Sequence, residues 1–347
     1  TSSGSEANDT QIKLAWYINN ALGRPRKKKI ISRMRAYHGV TIAAASLTGL
    51  PVFHADFDLP MARVLHTDCP HHWRGAEPGE SETDFATRLA RNLEDLILRE
   101  GPDTVAAFIA EPVMGAGGVI VPPSTYFEKI GAVLARHDVR MIADEVICGF
   151  GRTGEMFGSQ TFGIRPDTIS VAKALTSAYM PLGAITVSEA DHDAMVEESR
   201  KNGVFAHGFT YGGHPVACAV ALKTLEIYER IDIVGHVRRV APVFQARLQA
   251  LASHPLIGEA RGIGLIGAVE IVRDKATKAS FEGKSGVGAR TVAFALEEGL
   301  VCRAVAGDSI ALCPPLIIDA ATINEMFDAL GRALDKTLAV VRAEGLA

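Results

Sequence analysis

The sequence has few cysteines, no long apolar run and no large excess of charge of either sign. Its five cysteines are odd in number and lie far apart, which is typical of reduced, intracellular thiols and unlike a disulfide framework. No apolar stretch approaches the length needed to cross a bilayer. Charged residues make up 22% of the 347 residues, are mixed in sign and leave a net charge of −4. The composition therefore predicts neither a membrane protein nor a nucleic-acid partner.

Apolar residues are abundant, at 48%, and short apolar runs alternate with helical patterns. That alternation predicts an α/β fold with a parallel sheet. From about residue 233 onward the alternation gives way to long helices and a glycine-rich strand. We therefore predict a large domain over residues 1–232 and a smaller domain over residues 233–347. Because the chain opens inside a motif and without a methionine, we expect that part of the natural protein precedes it.

An ionisable residue follows each of three apolar runs that predict buried strands. Glu111, Asp144 and Lys173 are these residues, and intervals of 33 and 29 positions separate them, about one strand–helix–strand step each. The carboxyl ends of parallel strands share one edge of a sheet, where ligands bind. We therefore predict that the three side chains meet in one crevice. The alternative, an ordinary salt bridge at each strand end, explains any one of them well but all three together poorly.

The first residues predict an anion-binding turn. Ser3, Gly4 and Ser5 open a helical pattern that continues through Ile12 and Trp16. Free backbone N–H groups, a hydroxyl and the positive end of the helix dipole suit a phosphate group. Serine and glycine are equally common as plain helix caps, so the turn does not establish a phosphate site by itself.

Two patterns look like ligand sites but have simpler explanations. The glycines of residues 262–267 match a dinucleotide fingerprint, yet they lead into a strand-like segment instead of a helix, which favours a glycine-rich turn into a strand. The cluster of His66, Cys69, His71 and His72 resembles a set of zinc ligands. All four fall in one predicted loop, whereas structural zinc sites usually draw ligand pairs from two separated segments. We predict no metal site.

Six segments, in order and spread over nearly the whole chain, carry a family resemblance. They are SGSEAN (3–8), YHG (37–39), AEPV (110–113), ADEVICGFGRTG (143–154), VAKALTSAYMPLGA (171–184) and FTYGGHPVA (209–217). In these segments the sequence resembles the class III aminotransferases, and among them most closely the ω-aminotransferases that use pyruvate as amino acceptor. The pair formed by DEV and the later lysine is the most specific part.

The resemblance implies a type I pyridoxal-phosphate fold, in which helices cover both faces of a mostly parallel sheet and a smaller α+β domain follows. It implies pyridoxal 5′-phosphate as cofactor, held as a Schiff base by Lys173, which would also act as the base. Asp144 would pair with the ring nitrogen, and Tyr37 would stack on the ring as the third catalytic residue. The other cofactor contacts that it implies are Gly4, Ser5, His38, Glu111, Val146 and Thr210.

The resemblance also implies a homodimer, or a dimer of dimers, because Thr210 would reach the phosphate bound by the neighbouring subunit. Arg303 would bind the carboxylate of pyruvate and swing away when an uncharged amine enters. Val40 and Ala116 would line the substrate pocket, with Ala116 leaving room for a substituent.

We therefore predict a cytoplasmic transaminase that moves an amino group from an amine or ω-amino acid to pyruvate. Another activity on the same fold, such as an aminomutase or a decarboxylating aminotransferase, shares the lysine and aspartate and stays open. A cofactor-binding protein without turnover is disfavoured, because such a protein has no need of a base. The sequence does not indicate which amine is the physiological donor.

Overall fold

The structure is a computed structural model that describes residues 1–346, and it divides the chain into two compact units. The predicted boundary between residues 232 and 233 divides the chain at a single point. In the structure, two short segments from earlier in the sequence also pack into the second unit. The first unit comprises Thr1–Pro112, Pro122–Phe150 and Phe157–Arg230, and the second comprises Val113–Val121, Gly151–Met156 and the chain from Ile231 onward.

A six-stranded sheet forms the centre of the first unit. Its strands are β1 (Lys29–Arg33), β2 (Val64–Thr67), β3 (Val105–Ala110), β4 (Arg140–Asp144), β5 (Thr168–Val171) and β6 (Ala184–Ile185). Their order is β2-β1-β3-β4-β5-β6, and all neighbours run parallel except β5 and β6. The predicted α/β fold with a mostly parallel sheet is confirmed. The three strands, predicted over residues 105–110, 139–143 and 168–172, are β3, β4 and β5, each within one residue of these bounds.

Helices cover both faces of this sheet. The helices of the first unit are α1 (Gly4–Ala21), α2 (Ile42–Leu47), α3 (His72–Gly75), α4 (Glu82–Glu100), α5 (Tyr126–Arg136), α6 (Gly158–Thr161), α7 (Glu189–Asn202) and α8 (Pro215–Arg230). Since successive strand residues point to opposite faces, the neighbours Ile30 and Ile31 of β1 enter different apolar clusters. Ile31 packs with α4 and α5, and Ile30 packs with α1.

The side chain of Phe108 in β3 is fully buried in the cluster formed with α4 and α5. Phe108→Ala is expected to lower the free energy of unfolding by about 3–5 kcal/mol, because it leaves a cavity in a packed core. Phe57→Ala removes the same atoms from a side chain that is 71% exposed, and should change stability by less than about 0.5 kcal/mol. Melting curves of the two variants test the difference, and equal shifts would show that Phe108 does not support the core.

The second unit has α+β architecture. It contains α9 (Ile233–Ala250), α10 (Val287–Glu297), α11 (Ala320–Ala343), β7 (Ile257–Ile263), β8 (Ile266–Ile271), β9 (Arg303–Val305) and β10 (Ser309–Leu312). The four strands form an antiparallel sheet in the order β7-β8-β10-β9. Throughout residues 1–346, no helix combines the length and the apolar character that crossing a membrane requires.

The glycines that resemble a dinucleotide fingerprint lie in the β7–β8 hairpin and lead into β8, in agreement with the predicted glycine-rich turn into a strand. Gly264 lies in the turn at φ +56°, a conformation that favours glycine. Gly262 and Gly267 face each other across the strands, and a Cβ at either would come within 3 Å of Leu248 on α9. These glycines therefore allow a turn and a close helix–sheet contact.

The prediction that His66, Cys69, His71 and His72 share one loop was wrong. His66 lies in β2, and His72 opens the short helix α3. The strand escaped detection because only Val64 and Leu65 in it are apolar, and because it is stabilised by parallel pairing with β1, which is distant in sequence.

Candidate active site

The carboxyl ends of three neighbouring strands form one side of a cavity in the first unit. Glu111 directly follows β3, Asp144 ends β4, and Lys173 comes two residues after β5. The parallel register places Ala110 beside Ala143 and sets these strand ends next to each other. All three ionisable residues line a cavity of about 350 Å³. The other predicted site residues that line it are Gly4, Ser5, Tyr37, His38 and Val146.

The Asp144 carboxylate is buried and accepts three hydrogen bonds. Its Oδ2 accepts from the His38 ring nitrogen Nδ1 (2.7 Å) and from Asn8 Nδ2 (2.8 Å). Its Oδ1 accepts from the backbone N–H of Val146 (3.1 Å). Burial by itself raises the pKa of this carboxyl, but the hydrogen bond and electrostatic attraction of His38 and the bonds from Asn8 and Val146 together lower the pKa below its ordinary value. Asp144 is therefore an anion at neutral pH.

His38 holds this carboxylate from a fully buried ring. Because a carboxylate only accepts, Nδ1 carries the proton that it donates to Asp144. The ring is fixed from its backbone side as well, since the N–H of His38 donates to Thr48 Oγ1 at 3.0 Å. Such a buried carboxylate with rigid donors keeps its orientation when a ligand enters the cavity.

The backbone around Lys173 is strained. The residue stands at φ +43°, a left-handed conformation that is rare for a side chain of this size. It opens a short 3₁₀ turn after β5. The Lys173 carbonyl accepts hydrogen bonds from the backbone N–H groups of Thr176 (3.2 Å) and Ala178 (3.3 Å), which follow this turn. Strain of this kind costs on the order of 1–3 kcal/mol and is concentrated at functional sites. In the single chain the Lys173 side chain is exposed, and it borders the cavity.

The amino end of α1 forms another wall. Ser3 caps the helix, and its Oγ accepts from the N–H of Glu6 at 3.2 Å, while Glu6 Oε2 accepts from the N–H of Ser2 at 2.6 Å. Helical hydrogen bonding leaves the first N–H groups of a helix without intrahelical partners, here those around Gly4 and Ser5. The missing side chain of Gly4 matters, because a Cβ there would lie 3.1 Å from both methyl groups of Val146.

The loop after β1 closes the cavity. Tyr37 donates its backbone N–H to Glu111 Oε1 at 3.0 Å, and its ring packs edge-on against Phe53 with centroids 5.3 Å apart. Gly39 stands at φ +134°, and a Cβ there would lie 2.4 Å from Ser5 Oγ. The loop therefore approaches α1 more closely than any residue with a side chain permits.

Four predicted residues do not line this cavity. Val40 is 63% exposed, although its backbone N–H donates to Ser5 Oγ at 3.2 Å beside the cavity. Thr210 is exposed in a segment without regular structure. Arg303 is an exposed first residue of β9, and Ala116 is half-buried, both in the second unit. The roles of these four residues stay predictions.

Two buried residues near the cavity were missed by the sequence analysis. Asn8 lines the cavity and binds Asp144, and Arg33 donates Nη2 to the backbone carbonyl of Glu111 at 2.6 Å. The sequence carried a signal for Asn8, because it stands four positions after Gly4 and so falls on the same helix face. No local pattern marks Arg33, whose contact joins residues 78 positions apart.

The residues around the cavity fit pyridoxal phosphate. The free N–H groups of α1 and the Ser5 hydroxyl suit a phosphate, and the space beside them exists because residues 4 and 39 are glycines. The buried, anionic Asp144 suits a protonated pyridine nitrogen. The primary amine of Lys173 suits an aldehyde, and Tyr37 and Val146 offer flat and branched surfaces for the faces of a ring.

Comparisons with known proteins agree with this assignment. The model of the family "Aminotransferase class-III" matches residues 1–334. A gamma-aminobutyrate transaminase 1, mitochondrial, of Solanum lycopersicum is 57% identical over 337 residues, which are 97% of this chain and 65% of that protein. The chain thus spans slightly less than two thirds of the length of that relative.

Two solved structures are similar over almost the whole chain. One is described as a transaminase with L-ala; it is 55% identical, has a TM-score of 0.96, and the match covers 98% of this chain and 80% of that one. The other is the omega transaminase from Pseudomonas jessenii in complex with PMP, at 52% identity, a TM-score of 0.96 and coverage of 98% and 75%. This likeness confirms the predicted type I fold. Together with the family match, it shows that the chain belongs to the class III aminotransferases, with pyridoxal 5′-phosphate as cofactor.

Proposed function

We propose that the protein is an ω-aminotransferase that transfers the amino group of an amine or ω-amino acid to pyruvate. The observation that carries the proposal is the anionic, buried Asp144 in the same cavity as the Lys173 amine. Two relatives support the choice of substrates. One is named for gamma-aminobutyrate, an ω-amino acid, and another holds L-alanine, which is the aminated form of pyruvate.

Pyridoxal phosphate, when bound, supplies a carbonyl that condenses with amines and a ring that withdraws electrons from the neighbouring carbon. Asp144 keeps a negative charge beside the ring nitrogen, so that the ring holds its proton. Lys173 Nζ would take a proton from the substrate carbon that bears the amino group and would deliver it to the former aldehyde carbon of the cofactor, which is general base and acid chemistry. The α1 turn anchors the phosphate, and Tyr37 and Val146 orient the ring.

A panel of amino donors and acceptors tests the proposed reaction. The full-length protein is incubated with 4-aminobutyrate or 1-phenylethylamine as donor and with pyruvate or 2-oxoglutarate as acceptor. We expect alanine from pyruvate in amounts equal to the aldehyde or ketone formed. Glutamate without alanine would contradict the proposed acceptor. Release of carbon dioxide or an isomerised amine in place of a transamination product would contradict the proposed reaction class.

Arg303 provides a test of how pyruvate is recognised. Its side chain is exposed at the start of β9, as a mobile carboxylate-binding group requires. Hydrogen bonds to charged groups contribute about 1.5–3 kcal/mol each. Arg303→Ala should therefore lower kcat/KM for pyruvate and for alanine by about ten- to ten-thousand-fold, depending on whether one or both bonds are lost.

The same variant should react with an uncharged arylalkyl amine at a near-normal rate, because that donor has no carboxylate. Stopped-flow measurement of each half-reaction separates the two effects. Arg290→Ala is the control, since this arginine of the second unit forms a 2.5 Å ion pair with Glu344 and has no proposed substrate role. Equal losses in both half-reactions would show that Arg303 is structural.

A homodimer and a cytoplasmic location belong to the proposal. The irregular segment that carries Thr210 also exposes Val204 and Tyr211, which are 61% and 71% accessible in the single chain. Large apolar and aromatic side chains of this kind are what a subunit interface covers. Sedimentation velocity of the full-length protein checks the dimer, and a stable monomer with full activity would contradict it.

A further inference from the structure

The side chain of Asn8 lines the cavity and contacts Asp144 directly. Its side chain is 1% exposed, and its Nδ2 donates both to Asp144 Oδ2 (2.8 Å) and to the backbone carbonyl of His38 (2.7 Å). The amide oxygen Oδ1 is buried and has no hydrogen-bond partner among the described protein atoms. The side chain therefore uses both of its donors toward these two groups and leaves its acceptor unused.

The orientation of this amide is determined by its neighbours. Both atoms that face Nδ2, the carboxylate oxygen and the peptide oxygen, are acceptors only. Exchanging nitrogen and oxygen would place Oδ1 against two acceptors and lose both hydrogen bonds. An N–H pair is thus the chemistry that this position supplies.

The three residues close a small ring of hydrogen bonds. His38 Nδ1 donates to Asp144 Oδ2, and Asn8 joins that same oxygen to the backbone of His38. Oδ2 accepts two bonds, whereas Oδ1 accepts one, from Val146. A carboxylate oxygen has about two acceptor positions, so Oδ1 keeps one for a donor that enters the cavity.

Asn8 also connects this carboxylate to the predicted phosphate turn. It lies one turn along α1 from Gly4 and Ser5, on the same helix face. The rigid helix therefore fixes the distance between the phosphate contacts and the group that faces the ring nitrogen.

We propose that Asn8 is a positioning residue: its amide fixes the Asp144 carboxylate so that Oδ1 is presented to the protonated ring nitrogen of the cofactor. The inference rests on the proposed role of Asp144. In this role Asn8 acts through the aspartate and not on the reacting atoms. Removing its amide should weaken the contact between Asp144 and the ring nitrogen and spare the other cofactor contacts.

The test compares the affinity for pyridoxal phosphate with the affinity for its 1-deaza analogue, in which C–H replaces the ring nitrogen. The cofactor is removed from the full-length holoenzyme, and each compound is titrated back with protein fluorescence as readout. The wild-type protein should prefer pyridoxal phosphate. Asn8→Ala should reduce that preference by on the order of tenfold, because a hydrogen bond to a charged group is lost while the phosphate contacts are kept.

Two further variants separate positioning from simple packing. Asn8→Leu keeps a branched side chain of similar size but has no donors. It should reduce the preference for pyridoxal phosphate over the 1-deaza analogue to the same extent as Asn8→Ala, and it serves as the test where Asn8→Ala folds poorly. Asn19→Ala is the matched control, since Asn19 is another buried asparagine of α1 whose Nδ2 donates only to the Ala15 carbonyl, at 2.7 Å. It should leave the preference unchanged.

The outcomes distinguish this inference from the proposed function. If both Asn8 variants lower the affinity for pyridoxal phosphate and for the 1-deaza analogue equally, Asn8 supports the fold only. The inference is then overturned, while the role of Asp144 stands. If the wild-type protein itself shows no preference, the proposed role of Asp144 fails and the inference fails with it. A reduced preference in both Asn8 variants, with Asn19→Ala unaffected, supports the inference.

Discussion

Lys173→Ala is expected to abolish transamination while the protein stays folded and retains cofactor. The loss of a positioned base alone lowers kcat by about 10²- to 10⁴-fold, and the loss of the covalent attachment adds to it. The fold should survive because the side chain is exposed and fills no core space. Alanine at φ +43° keeps the backbone strain of this position, so stability should change little.

Borohydride treatment provides a readout that does not depend on turnover. Reduction should fix the cofactor to the wild-type peptide that contains Lys173, with a mass increase detectable by mass spectrometry, and should leave the Lys173→Ala protein unlabelled. Lys223→Ala is the control, because this lysine of α8 is exposed and pairs with Glu226 at 2.6 Å. A labelled and active Lys173→Ala protein would overturn the assignment of the whole site.

Asp144→Asn is expected to slow the reaction strongly while cofactor binding weakens much less. The substitution removes the negative charge beside the ring nitrogen, and breaking one partner of a buried charge pair costs about 3–5 kcal/mol, or two to nearly four powers of ten in rate. The amide also fits the pocket poorly. His38, Asn8 and the Val146 N–H donate to both oxygens, so the new NH₂ group must face a donor in either orientation.

The pH dependence of wild-type turnover gives a second check on Asp144. Its pKa is held below the ordinary aspartate value, so the carboxylate loses its charge only as the pH falls through that lowered pKa. Activity should therefore show no loss from this group between neutral pH and the ordinary pKa of an aspartate.

Steady-state assays measure the effect of Asp144→Asn on the rate. The control is Asp103→Asn, because Asp103 is an exposed aspartate that pairs with Arg26 at 2.7 Å. Near-normal turnover in Asp144→Asn would show that another group keeps the ring nitrogen protonated.

The sequence by itself determined the catalytic edge of the sheet. The strands before Glu111, Asp144 and Lys173 could be located because each is rich in apolar residues and is followed by an ionisable residue, and a parallel sheet buries both faces of its strands. Regular spacing then indicated that their carboxyl ends meet. The strands β1, β2 and β6 escaped, since each contains only two apolar residues and depends on partners elsewhere in the chain.

The tertiary structure alone decided what surrounds these side chains. Asn8 and His38 reach Asp144 across 136 and 106 residues of sequence, and no local pattern encodes which side chain of a helix or loop will contact a given carboxylate. The same holds for the left-handed backbone at Lys173, which packing imposes against local preference. Residue type and strand position therefore determined which groups perform the chemistry. The long-range packing of α1 and the 37–39 loop onto the sheet decided how those groups are charged, held and oriented.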